Sequence, residues 1–169
     1  MNKKGTVYFF TGLAGAGKST IGGLFYRRIK SKRNDIVLLD GDQIRAFSGD
    51  GEGGYSTEAR RSGAFHNFMM CKMLADQGID VVLCSISMYN DCRAWAREHI
   101  ENYKEIYVKV TFETLYRRDQ KGLYSSGAKE VVGVDLPYDE PEYPDIVIQN
   151  DGQETPEEIV ARLEKEFRV

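Results

Sequence analysis

Nine residues near the start of the chain, Gly12-Leu-Ala-Gly-Ala-Gly-Lys18-Ser19-Thr20, constrain the fold more than any other stretch. They follow the apolar run Val7-Tyr-Phe-Phe10 and open a helix-compatible segment from Ile21 to Lys30. Strand, glycine-rich turn and helix form the context in which G-x-x-x-x-G-K-[ST] works as a phosphate-binding loop. Gly12, Gly15 and Gly17, with the small Ala14 and Ala16 between them, let backbone N–H groups turn inward, and the helix adds the positive end of its dipole. Lys18 is predicted to reach β- and γ-phosphates, and the Ser19 hydroxyl, ahead of Thr20, to ligate Mg²⁺. A turn that only caps a helix is the alternative, and the strand in front argues against it.

A chain of 169 residues suits a single domain, spanning 1–169, with a core large enough to fold alone. The net charge of −3 gives no general pull toward nucleic acid or acidic membranes. The basic run Arg27-Arg28-Ile29-Lys30-Ser31-Lys32-Arg33 reads as a solvated helix end, where cations favour the dipole. Cys71, Cys84 and Cys92 are odd in number and lack metal-ligand spacing; Cys71 and Cys84 read as small core residues. Reduced thiols, no room for a signal peptide before Val7 and no apolar run of membrane-spanning length together predict a cytoplasmic protein.

Beyond the first helix, Ile36–Leu39 reads as a strand ending in Asp40-Gly41-Asp42, then a short helical piece from Gln43 to Phe47. A polar glycine-dense stretch, 48–54, precedes a helix capped by Ser56 or Thr57 and running to about Gln77, before Gly78. Asp80–Ser85 and Glu105–Val110 are further strands, separated by a helix from about Asp91 to Asn102. A helix from Glu113 to Asp119 leads into a loop-like region over about 120–145, long enough to suggest function. Ile146–Ile148 is a fifth strand, and Pro156 after Thr155 starts a final helix to about Arg168. Apolar strands alternating with helices predict α/β/α layers around a five-stranded parallel sheet, with ligands beyond the strand C-terminal ends.

Two tests narrow the class. Many NTPases place an Asp at the end of the strand beside the phosphate-loop strand, but the third strand here ends in Ser85. The acids end the second strand instead, where Asp42 could orient an acceptor hydroxyl and take its proton. Capping of the short helix is another role for Asp42, and the two can coexist. A guanine-selecting Asn-Lys-x-Asp is absent. The long loop reads as a lid that excludes water, with Arg117, Arg118 and Lys121 at its entry to stabilise the migrating phosphoryl group; a solvated hinge is the alternative.

Gly12 to Thr20, Leu39-Asp-Gly-Asp-Gln-Ile-Arg45, Arg118-Asp-Gln-Lys-Gly-Leu-Tyr124 and Pro137-Tyr-Asp-Glu-Pro141 resemble, in order, the motifs of adenylylsulfate (APS) kinases. The resemblance covers nearly the whole chain. It implies ATP and Mg²⁺ on the donor side, the 3′-hydroxyl of a small nucleotide as acceptor, and a homodimer. By the same resemblance Lys18, Asp42 and Lys121 are catalytic, and Arg118 joins the phosphate loop around ATP. Asp40, Asp42, Arg45, Tyr55, Arg60, Ile86, Ser87, Lys121 and Leu123 would surround the acceptor. Ser87 holds the family position of a transiently phosphorylated serine, although a polar loop residue is the plainer reading.

Departures concentrate in the acceptor pocket. Gly54-Tyr55-Ser56 and Arg60 match the family in type. Gly63 stands where the family has Asn, Phe65-His66 where it has an Arg pair, Val131-Val132-Gly133 for Phe-Thr-Gly, and Ser87-Met88-Tyr89-Asn90 for Ser-Pro-Tyr-Arg. Fewer cations and altered stacking suggest an acceptor differing from APS in its base, its anionic tail or both. One relative within this family phosphorylates cytidine diphosphoramidate in capsule biosynthesis, and a pyrimidine with a phosphoramidate is compatible with these changes. A nucleotide-binding regulator that keeps the donor site without turnover is the further alternative.

Overall fold

A computed structural model describes residues 3–47, 56–119, 122–127, 129 and 131–169. Five strands, β1 (Val7–Thr11), β2 (Ile36–Asp40), β3 (Asp80–Cys84), β4 (Tyr103–Lys109) and β5 (Ile146–Gln149), form one parallel sheet in the order β2-β3-β1-β4-β5. Between them run α1 (Lys18–Lys30), α2 (Gly41–Phe47), α3 (Thr57–Ala75), α4 (Asn90–His99) and α5 (Phe112–Arg118), with α6 (Pro156–Phe167) closing the chain.

The strands read as continuous apolar runs because both faces are covered. Tyr8, Phe10, Val82, Cys84, Ile106 and Val108 pack against Ile21, Phe25 and Ile29 of α1 and Ile159, Val160 and Leu163 of α6. Val7, Phe9, Val81 and Leu83 point the other way, onto Phe68 and Cys71 of α3 and Cys92 and Ala96 of α4. That makes the expected three layers. A third apolar cluster at the strand C-terminal ends joins Leu13, Met88, Tyr107, Leu115, Tyr124, Val131 and Val132, and so seats the lid on the phosphate loop.

Helix ends differ from the sequence reading where local chemistry decides. α1 starts three residues early, at Lys18, because Gly17 itself is the N-cap. α4 stops at His99: Ile100 is extended, and the Asn102 carbonyl accepts the Val7 N–H, starting the next strand. Ser56 caps α3, its hydroxyl accepting from Ala59 N–H, and Thr155 with Glu158 forms a complete capping box on α6. All three cysteines are buried and unbridged. At the C-terminal end of α1, three members of the basic run form ion pairs, Arg28 and Lys32 with Glu164, and Arg33 with Asp35 and Asp80. Among the described residues no helix is long and apolar enough to cross a membrane.

Two adjacent glycines of α1 separate packing from propensity. Either Gly→Ala change gains about 1 kcal/mol of helix propensity. At Gly23 the new Cβ meets only Arg27 Nη1 at 3.5 Å. At Gly22 it collides with Cys84 Sγ and meets the Phe10 ring at 3.3 Å, and overpacking of a core costs about 1–3 kcal/mol. Thermal unfolding should therefore show Gly23→Ala melting higher than the parent and Gly22→Ala lower.

Candidate active site

The phosphate loop leaves β1 through a passage with no room for a side chain. At Gly12, φ is +149°, and a Cβ would run into the Val108 carbonyl of the neighbouring strand. Gly17 turns the loop into α1 with φ of +103°, and a Cβ there would sit 2.6 Å from Asn150 Nδ2. Asn150 follows β5, and its Nδ2 donates to the Ala16 carbonyl at 2.8 Å. On the other flank the Thr11 hydroxyl donates to the Ile86 carbonyl, fixing the loop to the turn after β3.

Lys18 curls back so that Nζ donates to the Leu13 carbonyl at 2.8 Å, across the concavity of the loop. The residue as a whole is half-buried, yet loss of water around its ammonium dominates its titration. That burial brings the pKa down to about 8, against the opposing pull of Cys84, Asp42 and Asp40.

Ser19 Oγ donates to Asp40 Oδ2 at 2.6 Å, and Asp40 Oδ1 accepts the Asp42 N–H at 2.9 Å. Asp40, expected around the acceptor, thus lies against the hydroxyl expected to meet the metal. Asp40 is also the group that takes the N–H of Asp42, the second residue of α2, and the Asp42 side chain is exposed. Among the described residues no three His, Cys, Asp or Glu side chains cluster as a metal cage. Hard oxygens from Ser19 and Asp40, without a cage, suit Mg²⁺, which binds through few protein ligands and keeps waters and phosphate oxygens. The open loop at Gly12 and Gly17, the α1 N-terminus and Lys18 likewise fit a polyphosphate.

α5 delivers the lid. Arg118 lies along the loop, Nη1 donating to the Gly15 carbonyl at 3.3 Å and Nη2 to the Asn150 carbonyl at 2.6 Å. Asp119 ends the helix in the left-handed region, its Oδ1 accepting the N–H groups of Tyr124 and Ser125. Tyr124 then donates its hydroxyl to the Ala14 carbonyl at 2.6 Å, and Leu123 packs on the third cluster.

The residues expected around an acceptor come from three other segments. Ser87 is buried with φ of +36°, its hydroxyl paired with that of Ser85 at 2.8 Å. Ile86 packs beneath the lid. Arg45 of α2 and Arg60 of α3 are half-buried and face the same phenol, that of Tyr89: burial raises its pKa, and Arg60 and then Arg45 oppose the rise. Tyr55 and Lys121 lie outside the described residues, as does the stretch 48–54. Gly63 leaves open space, since a Cβ would meet nothing within 4 Å. Phe65 packs edge-on against Trp95 at 6.3 Å with Arg61 over its ring. Val131 and Val132 are buried in the lid core.

The model of the adenylylsulphate kinase family matches residues 4–149. The chain belongs to that family. This kinase is 37% identical, over 167 residues, to a cytidine diphosphoramidate kinase of Campylobacter jejuni, with 96% of each chain covered. It is 36% identical to an adenylyl-sulfate kinase of Halothermothrix orenii, covering 96% of this chain and 89% of the relative. A solved APS kinase of Mycobacterium tuberculosis, in complex with AMPPNP and APS, superposes with a TM-score of 0.89 at 27% identity, covering 99% of this chain and 100% of that one.

Three site residues escaped the sequence reading. Asn150 stands at the C-terminal end of β5, where ligands gather in such sheets, so its position was a usable signal. Asp139 and Glu140 lie inside a motif already singled out, but their partners on the turn after β3 and on β4 are distant in sequence. Tyr124 was noted without its role as the lid's hold on Ala14.

The depressed pKa of Lys18 sets a proton linkage. Triphosphate oxygens favour the charged ammonium and raise its pKa, so binding above about pH 8 takes up a proton. Titration calorimetry near roughly pH 9, in buffers of different ionisation enthalpy, should show uptake approaching one proton. Lys18→Met should abolish it.

Proposed function

We propose that this kinase transfers the γ-phosphoryl group of ATP to the 3′-hydroxyl of a nucleotide, and that the acceptor is cytidine diphosphoramidate. The observation that carries the acceptor assignment is the lid: the family's stacking aromatic is replaced by Val131, buried in the lid core rather than offered to a base. The loss of cations at Phe65, His66 and Asn90 agrees with it, as does the similarity to the Campylobacter jejuni enzyme along the full length of both chains. APS is the second reading, favoured by the near-equal similarity to the Halothermothrix orenii enzyme and by the Mycobacterium tuberculosis structure.

In this reading the backbone from Gly12 to Thr20 cradles the triphosphate, and Arg118 braces the loop at Gly15 and Ala16. Ser19 and Asp40 would hold Mg²⁺, which when bound neutralises charge on the phosphate oxygens. Lys18, drawn from the Leu13 carbonyl, meets the negative charge that builds during transfer. Asp42, in the first turn of α2 and exposed, orients the acceptor hydroxyl and accepts its proton. Arg45 and Arg60 hold the acceptor's anionic groups. The lid, with Lys121 in it, closes to exclude water that would otherwise take the phosphoryl group.

ATP consumption should be measured against cytidine diphosphoramidate, APS and common nucleotides, and turnover should be fastest with the first. Fastest turnover of APS would replace the acceptor assignment, and no turnover with any acceptor would favour a nucleotide-binding regulator. With the preferred acceptor, Asp42→Asn should lower kcat by about 10²–10⁴-fold and leave ATP affinity nearly unchanged. Unaltered turnover would remove Asp42 from the mechanism.

A further inference from the structure

Beneath the acceptor loop lies an ion pair that the mechanism does not use. Arg93 of α4 is 4% exposed and Glu105 of β4 is 3% exposed. Arg93 Nε lies 3.3 Å from Glu105 Oε1. At such depth, desolvation offsets most of the attraction, and Glu105 has a second cation in Arg97, whose Nη2 lies 3.2 Å from Oε2. Arg93 carries a second cost. Among the described residues its Nη1 is the buried side-chain donor with no partner, and an unmade buried bond costs more than a made one typically contributes.

What an apolar side chain could not replace is the reach of Nη2. It donates to Asn90 Oδ1 and to the Glu140 carbonyl, the latter at 3.2 Å. Asn90 follows the turn that carries Ser87, and Glu140 belongs to the limb on which the lid returns to the sheet. These two segments are stitched together by neighbours as well. Asp139 N–H donates to the Met88 carbonyl at 2.9 Å, Asn90 N–H to Asp139 Oδ2 at 2.9 Å, and Asn90 Nδ2 to Glu142 Oε1 at 3.3 Å. The Glu140 carboxylate accepts from the Tyr107 hydroxyl at 3.1 Å and from Lys109 Nζ at 3.2 Å, fastening the limb to β4. Arg93 thus joins Asn90, next to the turn, to the limb and to β4 through a single guanidinium.

We propose that Arg93 is a positioning residue for the acceptor half of the site: footed on Glu105, it sets the spacing between the Ser87 turn and the returning limb of the lid. It touches no reacting atom and acts through Asn90 and Glu140. The donor end of the lid is held separately, by Arg118 and by Tyr124 on the phosphate loop. Loss of Arg93 therefore loosens one end of the lid and spares the other. The kinetic consequence rests on the proposed function; the structural one does not.

Arg93→Lys keeps a charge for Glu105, but a single amine cannot span Asn90 and Glu140 as the guanidinium fork does. With the acceptor that the parent enzyme turns over fastest, its KM should rise about 10-fold while the KM for ATP stays within about 2-fold. Amide exchange should quicken over 137–144 and stay unchanged over 122–127. Asn90→Ala, at an exposed residue, removes the bonds to Arg93 and to Glu142, leaves Glu105 paired, and should shift both readouts in the same direction, whereas Glu142→Ala, which removes only the second of those bonds, should not; the two together decide the matter if Arg93→Lys fails to fold. Parent-like exchange over 137–144 in the folded variant, or equal rises in both KM values, would overturn the proposal. If the parent enzyme phosphorylates no acceptor, the proposed function fails, and the exchange comparison still decides the role of Arg93.

Discussion

The phosphate loop is held by the ends of the other four strands, and the rest of the site depends on that arrangement. β2 reaches it through Asp40 on Ser19, β3 through the Ile86 carbonyl on Thr11, β4 through the close approach of Val108 to Gly12, and β5 through Asn150 on Ala16. A glycine-rich turn has too few side chains to pack a core and too much backbone freedom to hold a shape alone. The sheet supplies what the turn lacks. Its five carboxyl ends lie on one side of the sheet because every strand is parallel and every crossover carries the chain back to the N-terminal ends of the strands.

From that fixed donor site the remaining parts differ in how they are held. The lid's entry rests on the loop's own carbonyls, through Arg118 and Tyr124. Its exit rests on the turn after β3 and on β4, through Asp139 and Glu140. Donor and acceptor halves thus meet in the lid but have separate foundations. The departures from the family lie over the acceptor foundation, at Gly63, Phe65, Asn90 and Val131, whereas the donor motif from Gly12 to Thr20 is complete. Side chains at the lid's exit can change without disturbing the contacts at its entry.

The layered fold and the strand–loop–helix geometry at Gly12 to Thr20 were legible in the sequence because their signals are local. A glycine pattern between a strand and a helix states its own geometry, and unbroken apolar strands state that both sheet faces are covered. Boundaries were less legible where tertiary contacts decide them: Asn102 looked helical until its carbonyl was needed by Val7 of the adjoining strand. Asp42 could be singled out from Asp40 as the candidate base, but the place of Asp40 was not legible, since only the fold sets it against Ser19. Arg93 gave no signal at all. A single arginine on an amphipathic helix is ordinary surface, and its burial depends on Glu105 and Glu140, which the sheet brings to it.

The bond from Asn150 to Ala16 spans 134 residues, from the last strand back to the first turn. A nascent chain still lacking β5 has the complete glycine motif yet not the phosphate site, since one wall of it has not been made. A ligand that needs that wall binds the finished sheet and has little hold on partly folded forms, so it selects the completed fold by mass action. Contacts of such long range close slowly and late. A complete loop is, for this chain, a sign that folding has ended.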